Sequence, residues 1–270
     1  MRGFPRGKLN RIKSVTTISE WSNAPRRSLS KWHPPATLFQ SGVAVGTLGF
    51  VGGAEWNEGC SFDAYLLERS GSNQVTLLPT AAAYERPDLA VAHATKWFAG
   101  LGARVNAAMV ITRADAEDPN FVQMLTDSSF IYLGGGSPLH LFSVLKHSQC
   151  YGAIVGAFAN GAVVAGSSAG AMVLGDPMVD PRGGGLTLGL GLVKGLAVMP
   201  HFSSASAELK HRTHTLAEPE VVIAGIDEQT ALIREPDGTW LSMGAGSVNL
   251  VSNGAEVAMS QLPDILRLAV

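Results

Sequence analysis

Gly166-Ser167-Ser168-Ala169-Gly170 follows the apolar run Ala162–Ala165 and precedes a helix-compatible stretch. A G-x-S-x-G between a strand and a helix is the context of a nucleophile elbow, in which a serine on a tight turn lifts its Oγ out of the core. Ser168 holds the central position, and Ser167 comes one residue too early. The turn brings flanking backbone close, so it needs small neighbours, and Gly166 and Gly170 supply the space. A helix beginning at Ser168 would aim free N–H groups and its positive dipole end at the reacting atom. The Ala169 N–H would then be one oxyanion donor.

A serine nucleophile also needs a second oxyanion donor, a base, and an acceptor to orient the base. Phe130–Leu133 is a buried-strand pattern running into Gly134-Gly135-Gly136. Three glycines there let backbone N–H groups turn toward an anion, which makes Gly135 and Gly136 the candidate donors. The loop lacks the Lys-Ser/Thr of a P-loop and the full G-x-G-x-x-G spacing, so nucleotide binding is the weaker reading. Among seven histidines, His201 stands at a strand end after Leu196-Ala-Val-Met-Pro200, whereas His93, His140, His147, His211 and His214 lie in helical patterns. His211 and His214 have i,i+3 spacing, but no third metal ligand is spaced to join them. The acids following the elbow are Asp176, Asp180, Asp227 and Glu228, the last at the end of the apolar run Val221–Ile226.

Five ordered motifs together resemble the dipeptidase E/cyanophycinase family of serine peptidases, over roughly residues 42 to 255. They are Gly52-Gly53-Ala54-Glu55, Gly134-Gly135-Gly136, the Gly166–Ala171 elbow, Pro200-His201-Phe202, and Gly225-Ile-Asp-Glu-Gln-Thr-Ala-Leu232. The resemblance implies a flavodoxin-like three-layer α/β fold, a mostly parallel sheet with helices on both faces. It relates the chain to class I glutamine amidotransferases, with serine replacing their cysteine. On that match Ser168 is the nucleophile and His201 the base. The cyanophycinase branch places the acid in the Gly-Ile-Asp-Glu motif, here Glu228. The dipeptidase branch places an Asp shortly after the elbow, here Asp176. The intact Gly-Ile-Asp-Glu-x-Thr-Ala run favours Glu228. Where cyanophycinases have Gly-Gly-Asp-Gln-x-x-Leu, this chain has Gly135-Gly136-Ser137-Pro138-Leu139. The Asp and Gln that would help read a β-aspartyl-arginine unit are absent.

The elements that must position these residues follow from pattern. Val43–Phe50, Gln74–Leu78, Arg104–Ile111, Phe130–Leu133 and Ala162–Ala165 read as short buried strands. Pro87–Leu101, Asp118–Leu125, Leu139–Lys146 and Ala153–Phe158 read as helices between them. That alternation predicts βαβ units and a largely parallel sheet covered on both faces. Asp176–Gly195 reads as a Gly/Pro-rich loop and Ser203–Ala217 as a helix. Val221–Ile226, Ala231–Arg234 and Ser247–Val251 read as late strands, with Glu235–Gly238 as a hairpin turn.

With 270 residues and 46% hydrophobic composition the chain can bury a large core. Residues 1–40 carry eight Lys/Arg against one acid, a charge of +7, and the rest carries −9. That basic leader is expected to be disordered, ahead of a single domain over 41–265. The acidic body argues against nucleic acid, and no run of 18 apolar residues suggests a membrane span. Cys60 and Cys150 suit a reducing, cytoplasmic setting. A triad needs no cofactor or metal. The expected partners are a small peptide substrate and, in assembly, a homodimer. Two other readings are a non-catalytic ligand-binding module on an amidotransferase-like fold and an esterase. Esterases of the α/β-hydrolase type order Ser, acid, His along the chain, against Ser168, His201, Glu228 here.

Overall fold

A computed structural model describes residues 45–263. The basic leader, and the beginning of the strand expected at Val43–Phe50, lie outside the described residues. As far as residue 174, strands and helices alternate: β1 (Leu48–Val51), α1 (Phe62–Ser70), β2 (Gln74–Leu78), α2 (Pro87–Gly100), β3 (Arg104–Ala107), α3 (Pro119–Thr126), β4 (Phe130–Leu133), α4 (Pro138–Leu145), α5 (Gln149–Ala159), β5 (Val163–Ser167) and α6 (Ala169–Leu174). Then come four two-residue strands, β6 (Gly175–Asp176), β7 (Met178–Val179), β8 (Leu186–Thr187) and β9 (Val193–Lys194). The chain continues through β10 (Leu196–Met199), α7 (Ala207–Leu216), β11 (Val222–Ile226), β12 (Thr230–Arg234), β13 (Trp240–Gly244), β14 (Val248–Ser252) and β15 (Ala255–Glu256).

Local chemistry sets these boundaries. Asp118, Ser137 and Ser148 each accept a hydrogen bond from a backbone N–H in the first turn of α3, α4 and α5, and Pro119 and Pro138 open the first two of those helices. Gly71 closes α1 in the left-handed conformation, its N–H returning to the Glu68 carbonyl.

The main sheet has seven strands in the order β13-β12-β1-β5-β4-β2-β3. β1, β5, β4, β2 and β3 are parallel, and β12 and β13 add an antiparallel edge. Alternate residues of the parallel strands supply two cores. Phe130, Tyr132, Val163 and Ala165 pack with Phe62 and Leu66 of α1 and Phe98 of α2. Ile131, Leu133 and Val164 pack with Leu125 of α3, Leu141 of α4 and Ile154 and Phe158 of α5. Burial on both faces is why these strands read as unbroken apolar runs.

The structure adds a second sheet, in the order β15-β14-β11-β10-β6-β9. Two of its short strands, and the β7–β8 hairpin, come from the segment expected to be loop. Strands of two residues carry no periodicity, so pattern could not find them. The strand expected over Arg104–Ile111 stops at Ala107, beyond which the Val110 carbonyl accepts from Thr80 Oγ1. The helix expected over Ser203–Ala217 is a turn at Phe202–Ser204 and then α7, capped by Ser206. α1 has no counterpart in the sequence pattern, and β13, to which no range is assigned there, is the second arm of the hairpin expected at Glu235–Gly238, with Trp240 opposite Arg234. α1 mixes charged with apolar residues, and β13 is a half-exposed edge strand.

Asp63, in the first turn of α1, is fully buried, with Oδ2 accepting from Trp97 Nε1 at 2.9 Å. Burial pushes its pKa up to about 8, with the Trp97 bond opposing and the Glu55 charge adding. The folded protein thus keeps a proton that the unfolded chain releases near pH ~4. The stabilisation is complete below about pH 4, declines as pH rises, and is lost above about 8. Asp63→Asn is expected to flatten this part of the stability curve, measured by urea unfolding across that window. An unaltered slope would show that Asp63 is ionised in the native state.

Candidate active site

β1, β4 and β5 end at one level, with Val51 opposite Ser167 and Leu133 opposite Gly166. Ser168 follows at φ 47°, ψ −107°, outside both strand and helix, and its N–H donates to the Val51 carbonyl at 2.9 Å. The crowding expected of an elbow is present. A Cβ on Gly166 would lie 2.4 Å from the Gly170 backbone, and one on Gly170 would lie 2.2 Å from the Leu133 carbonyl. The helix starts at Ala169 rather than Ser168, because the turn throws Ser168 out of helical geometry. α6 has only six residues. Its contribution is therefore the Ala169 N–H, which has no acceptor among the described residues, more than a macrodipole.

β10 and β11 are parallel neighbours with Met199 opposite Gly225. His201 and Glu228 each follow two residues after their strand ends, so adjacent strands deliver them to the same place. Ser168 Oγ lies 3.0 Å from His201 Nε2, and His201 Nδ1 lies 2.7 Å from Glu228 Oε1. The His201 and Glu228 side chains are about half exposed, at 41% and 50%. Asp176 is directed elsewhere: its Oδ1 accepts from the Gly189 N–H at 3.2 Å, within the segment after the elbow, and it makes no bond to His201.

Gly135 and Gly136 line a cleft of about 710 Å³ with Ser168 and His201. Its other walls include Glu55, Trp56, Arg86 and His93. Arg86 is engaged by Asp88 through two hydrogen bonds, at 2.9 and 2.6 Å. The Gly135 N–H donates to Glu55 Oε1 at 3.4 Å. Glu55 was visible in sequence only as part of a motif, and its contacts come from the tertiary structure.

Seven non-glycine residues among those described have positive φ, and Ala54, Trp56, Ser168, His201 and Gln229 are five of them. Such conformations cost about 1–3 kcal/mol each, and their concentration here marks a site whose geometry is enforced by its surroundings. Cys60 is no competing nucleophile. Its thiol is buried, with Sγ 3.5 Å from the Ala54 carbonyl, and burial pushes its pKa up to about 11. Among the described residues no His/Cys/Asp/Glu group is arranged to hold a metal. No described helix is long and apolar enough to cross a membrane.

The family model of peptidase family S51 matches residues 50–241. The chain belongs to that family. It is therefore a serine-type peptidase, which sets aside the esterase and non-catalytic readings. The cyanophycinase of Synechococcus elongatus is 28% identical over 227 residues, covering 80% of this chain and 70% of that protein. Peptidase E of Citrobacter koseri is 27% identical over 188 residues, covering 67% and 77%. The crystal structure of a peptidase from an acI-B1 actinobacterium is similar at a TM-score of 0.72 and 28% identity, covering 80% of this chain and 94% of that one.

In this S51 peptidase the His201 ring rests on Gly53, where an added Cβ would lie 2.2 Å from His201 Cε1 at a backbone φ of 116°. Gly53→Ala is expected to push the imidazole away and lower peptidase activity by about 10²-fold. Calorimetry beside the kinetics checks that the loss exceeds any fall in folded fraction. Near wild-type turnover would show that the ring has room to shift.

Proposed function

We propose that this peptidase hydrolyses a small peptide or isopeptide bond through a Ser168–His201–Glu228 triad and a backbone oxyanion hole. The observation that carries this reading is the continuous chain of contacts at 3.0 and 2.7 Å joining the three side chains. With Nδ1–H donating to Glu228, His201 Nε2 is the free lone pair that accepts the Ser168 proton. Ser168 Oγ attacks the carbonyl carbon and the oxygen becomes an oxyanion. The Ala169 N–H and the Gly136 N–H are its donors, the Gly135 N–H being taken by Glu55 Oε1. Collapse breaks the C–N bond, and the His201 imidazolium returns the proton to the leaving amine. Water, deprotonated by His201, then releases the acyl group and restores Ser168.

The cleft volume falls within the range of sites for small ligands, which favours a short peptide over a folded protein. A relative named peptidase E supports a peptide as the substrate class. A library of dipeptides that includes β-aspartyl linkages is the direct screen.

A fluorophosphonate probe should label the wild-type protein, and Ser168→Ala should lose both labelling and hydrolysis while remaining folded. Triad nucleophiles are worth on the order of 10⁴-fold or more. Persistent turnover in Ser168→Ala would place the nucleophile elsewhere. Neutralising the acid in Glu228→Gln is expected to lower kcat by roughly 10²- to 10⁴-fold. Asp176→Asn, which disturbs only the bond to Gly189, should cost far less. The reverse ranking would overturn the assignment of Glu228.

A further inference from the structure

Glu55 lies two residues after Gly53, on which the His201 ring rests, and its carboxylate bonds to the elbow and the glycine loop. Oε2 accepts from Ser167 Oγ at 2.7 Å, and Oε1 accepts from the Gly135 N–H at 3.4 Å. Ser167 is fully buried and immediately precedes the elbow serine. Its side-chain hydroxyl is committed to this one bond. A Cβ on Gly135 would lie 3.2 Å from Glu55 Oε1 and 3.6 Å from Ser168 Cβ. Carboxylate, glycine loop and elbow are thus in mutual contact.

Among the described residues the backbone N–H groups of the loop between β4 and α4 are otherwise tied near its two ends, by Gly134 N–H to the Leu78 carbonyl at 3.0 Å and Ser137 N–H to the Ala81 carbonyl at 2.8 Å. Its middle meets Glu55 through the Gly135 N–H, which leaves the adjacent Gly136 N–H as the loop's oxyanion donor. The carboxylate has no ion-pair partner among the described residues, and both its donors are neutral. Holding two donors from separate elements, the elbow and the glycine loop, sets the distance between them. That is the distance on which a two-donor oxyanion hole depends.

We propose that Glu55 is a positioning residue, its carboxylate clamping the Gly135–Gly136 loop to the Ser167–Ser168 elbow through the Gly135 N–H, so that the neighbouring Gly136 N–H and the Ala169 N–H face one point. The proposal rests on the triad reading above. A carboxylate suits the task because each oxygen accepts one bond with no proton to place. A glutamine can substitute, since the Ser167 hydroxyl can turn and accept from the amide while the amide oxygen serves Gly135.

The test uses the full-length protein and a fluorophosphonate probe, with labelling resolved into a binding constant and a maximal rate. Glu55→Ala and Ser167→Ala are each expected to lower the maximal rate by about 10- to 100-fold, the scale of an ångström-sized misplacement. Probe binding should stay within about threefold, because only the transition state uses the clamp. Glu55→Gln should remain within about fivefold of wild type. The Glu55→Ala/Ser167→Ala double variant should be no slower than the slower single one, since both remove the same contact.

Wild-type maximal rates in Glu55→Ala or Ser167→Ala, or additive losses in the double variant, would overturn the proposal. So would a Glu55→Gln as slow as Glu55→Ala, because charge rather than positioning would then be required. If Glu55→Ala fails to fold, Ser167→Ala and Glu55→Gln decide alone. Labelling of the wild type at Ser168 separates the two readings. Labelling present with unaffected variants removes only the clamp, whereas labelling absent from Ser168 removes the triad and the clamp with it.

Discussion

The backbone of Gly52 and Gly53 runs between two strand ends with no room for a side chain on either residue. A Cβ on Gly52 would lie 2.1 Å from the Asp227 carbonyl, and one on Gly53 would lie 2.2 Å from the His201 ring. The same two residues receive the chain that carries the site. Gly52 accepts from the His201 N–H at 2.7 Å, and Gly53 accepts from the Gln229 N–H at 2.9 Å. The Gly52 N–H donates to the Thr230 carbonyl at 2.9 Å, and one residue earlier Val51 accepts from the Ser168 N–H. The end of β1 is therefore the shared reference for Ser168, His201 and Glu228, which come from two different sheets. Close backbone approach achieves this because hydrogen bonds between main chains tolerate little drift.

This arrangement explains why the strain is where it is. Ser168, His201 and Gln229 adopt positive φ at the points where the chain leaves β5, follows β10 and enters β12. Each turn is made against a partner already fixed by the β1 end, so the surroundings over-determine the conformation and can bear its cost. The His201–Glu228 pair is half exposed, and an isolated surface pair contributes little to stability. Its orientation is inherited from two parallel strands, β10 and β11, and from the Gly52 carbonyl. Below the site the core is conventional, with two apolar layers flanking strands that are buried on both faces.

Much of the candidate site is legible in the sequence because it is local. The elbow demands small residues within five positions and a strand before them, so Gly166–Gly170 could be identified without knowing what surrounds it. A buried parallel strand such as Phe130–Leu133 is legible to its ends, because burial on both faces enforces an unbroken apolar run between turn residues. His201 and Glu228 could be placed at strand ends. The acid that meets the histidine was a choice between Glu228 and Asp176, which pattern and spacing left open and a resemblance tilted.

Tertiary structure alone decided what is set by pairing between distant segments. The second sheet is built partly from two-residue strands, too short to carry a period, yet its parallel β10–β11 pair is what juxtaposes His201 and Glu228. Glu55 looked like one member of a Gly-Gly-Ala-Glu run, and only folding brought it to Ser167, 112 residues away in sequence, and to Gly135, 80 residues away. The elbow, the glycine loop and the succession of buried strands and helices are readable from local pattern, because each depends on residues that are neighbours along the chain. The partner of His201, the contacts of Glu55 and the meeting of two sheets at the end of β1 were decided by tertiary structure, because strand register is a relation between segments that no local window contains.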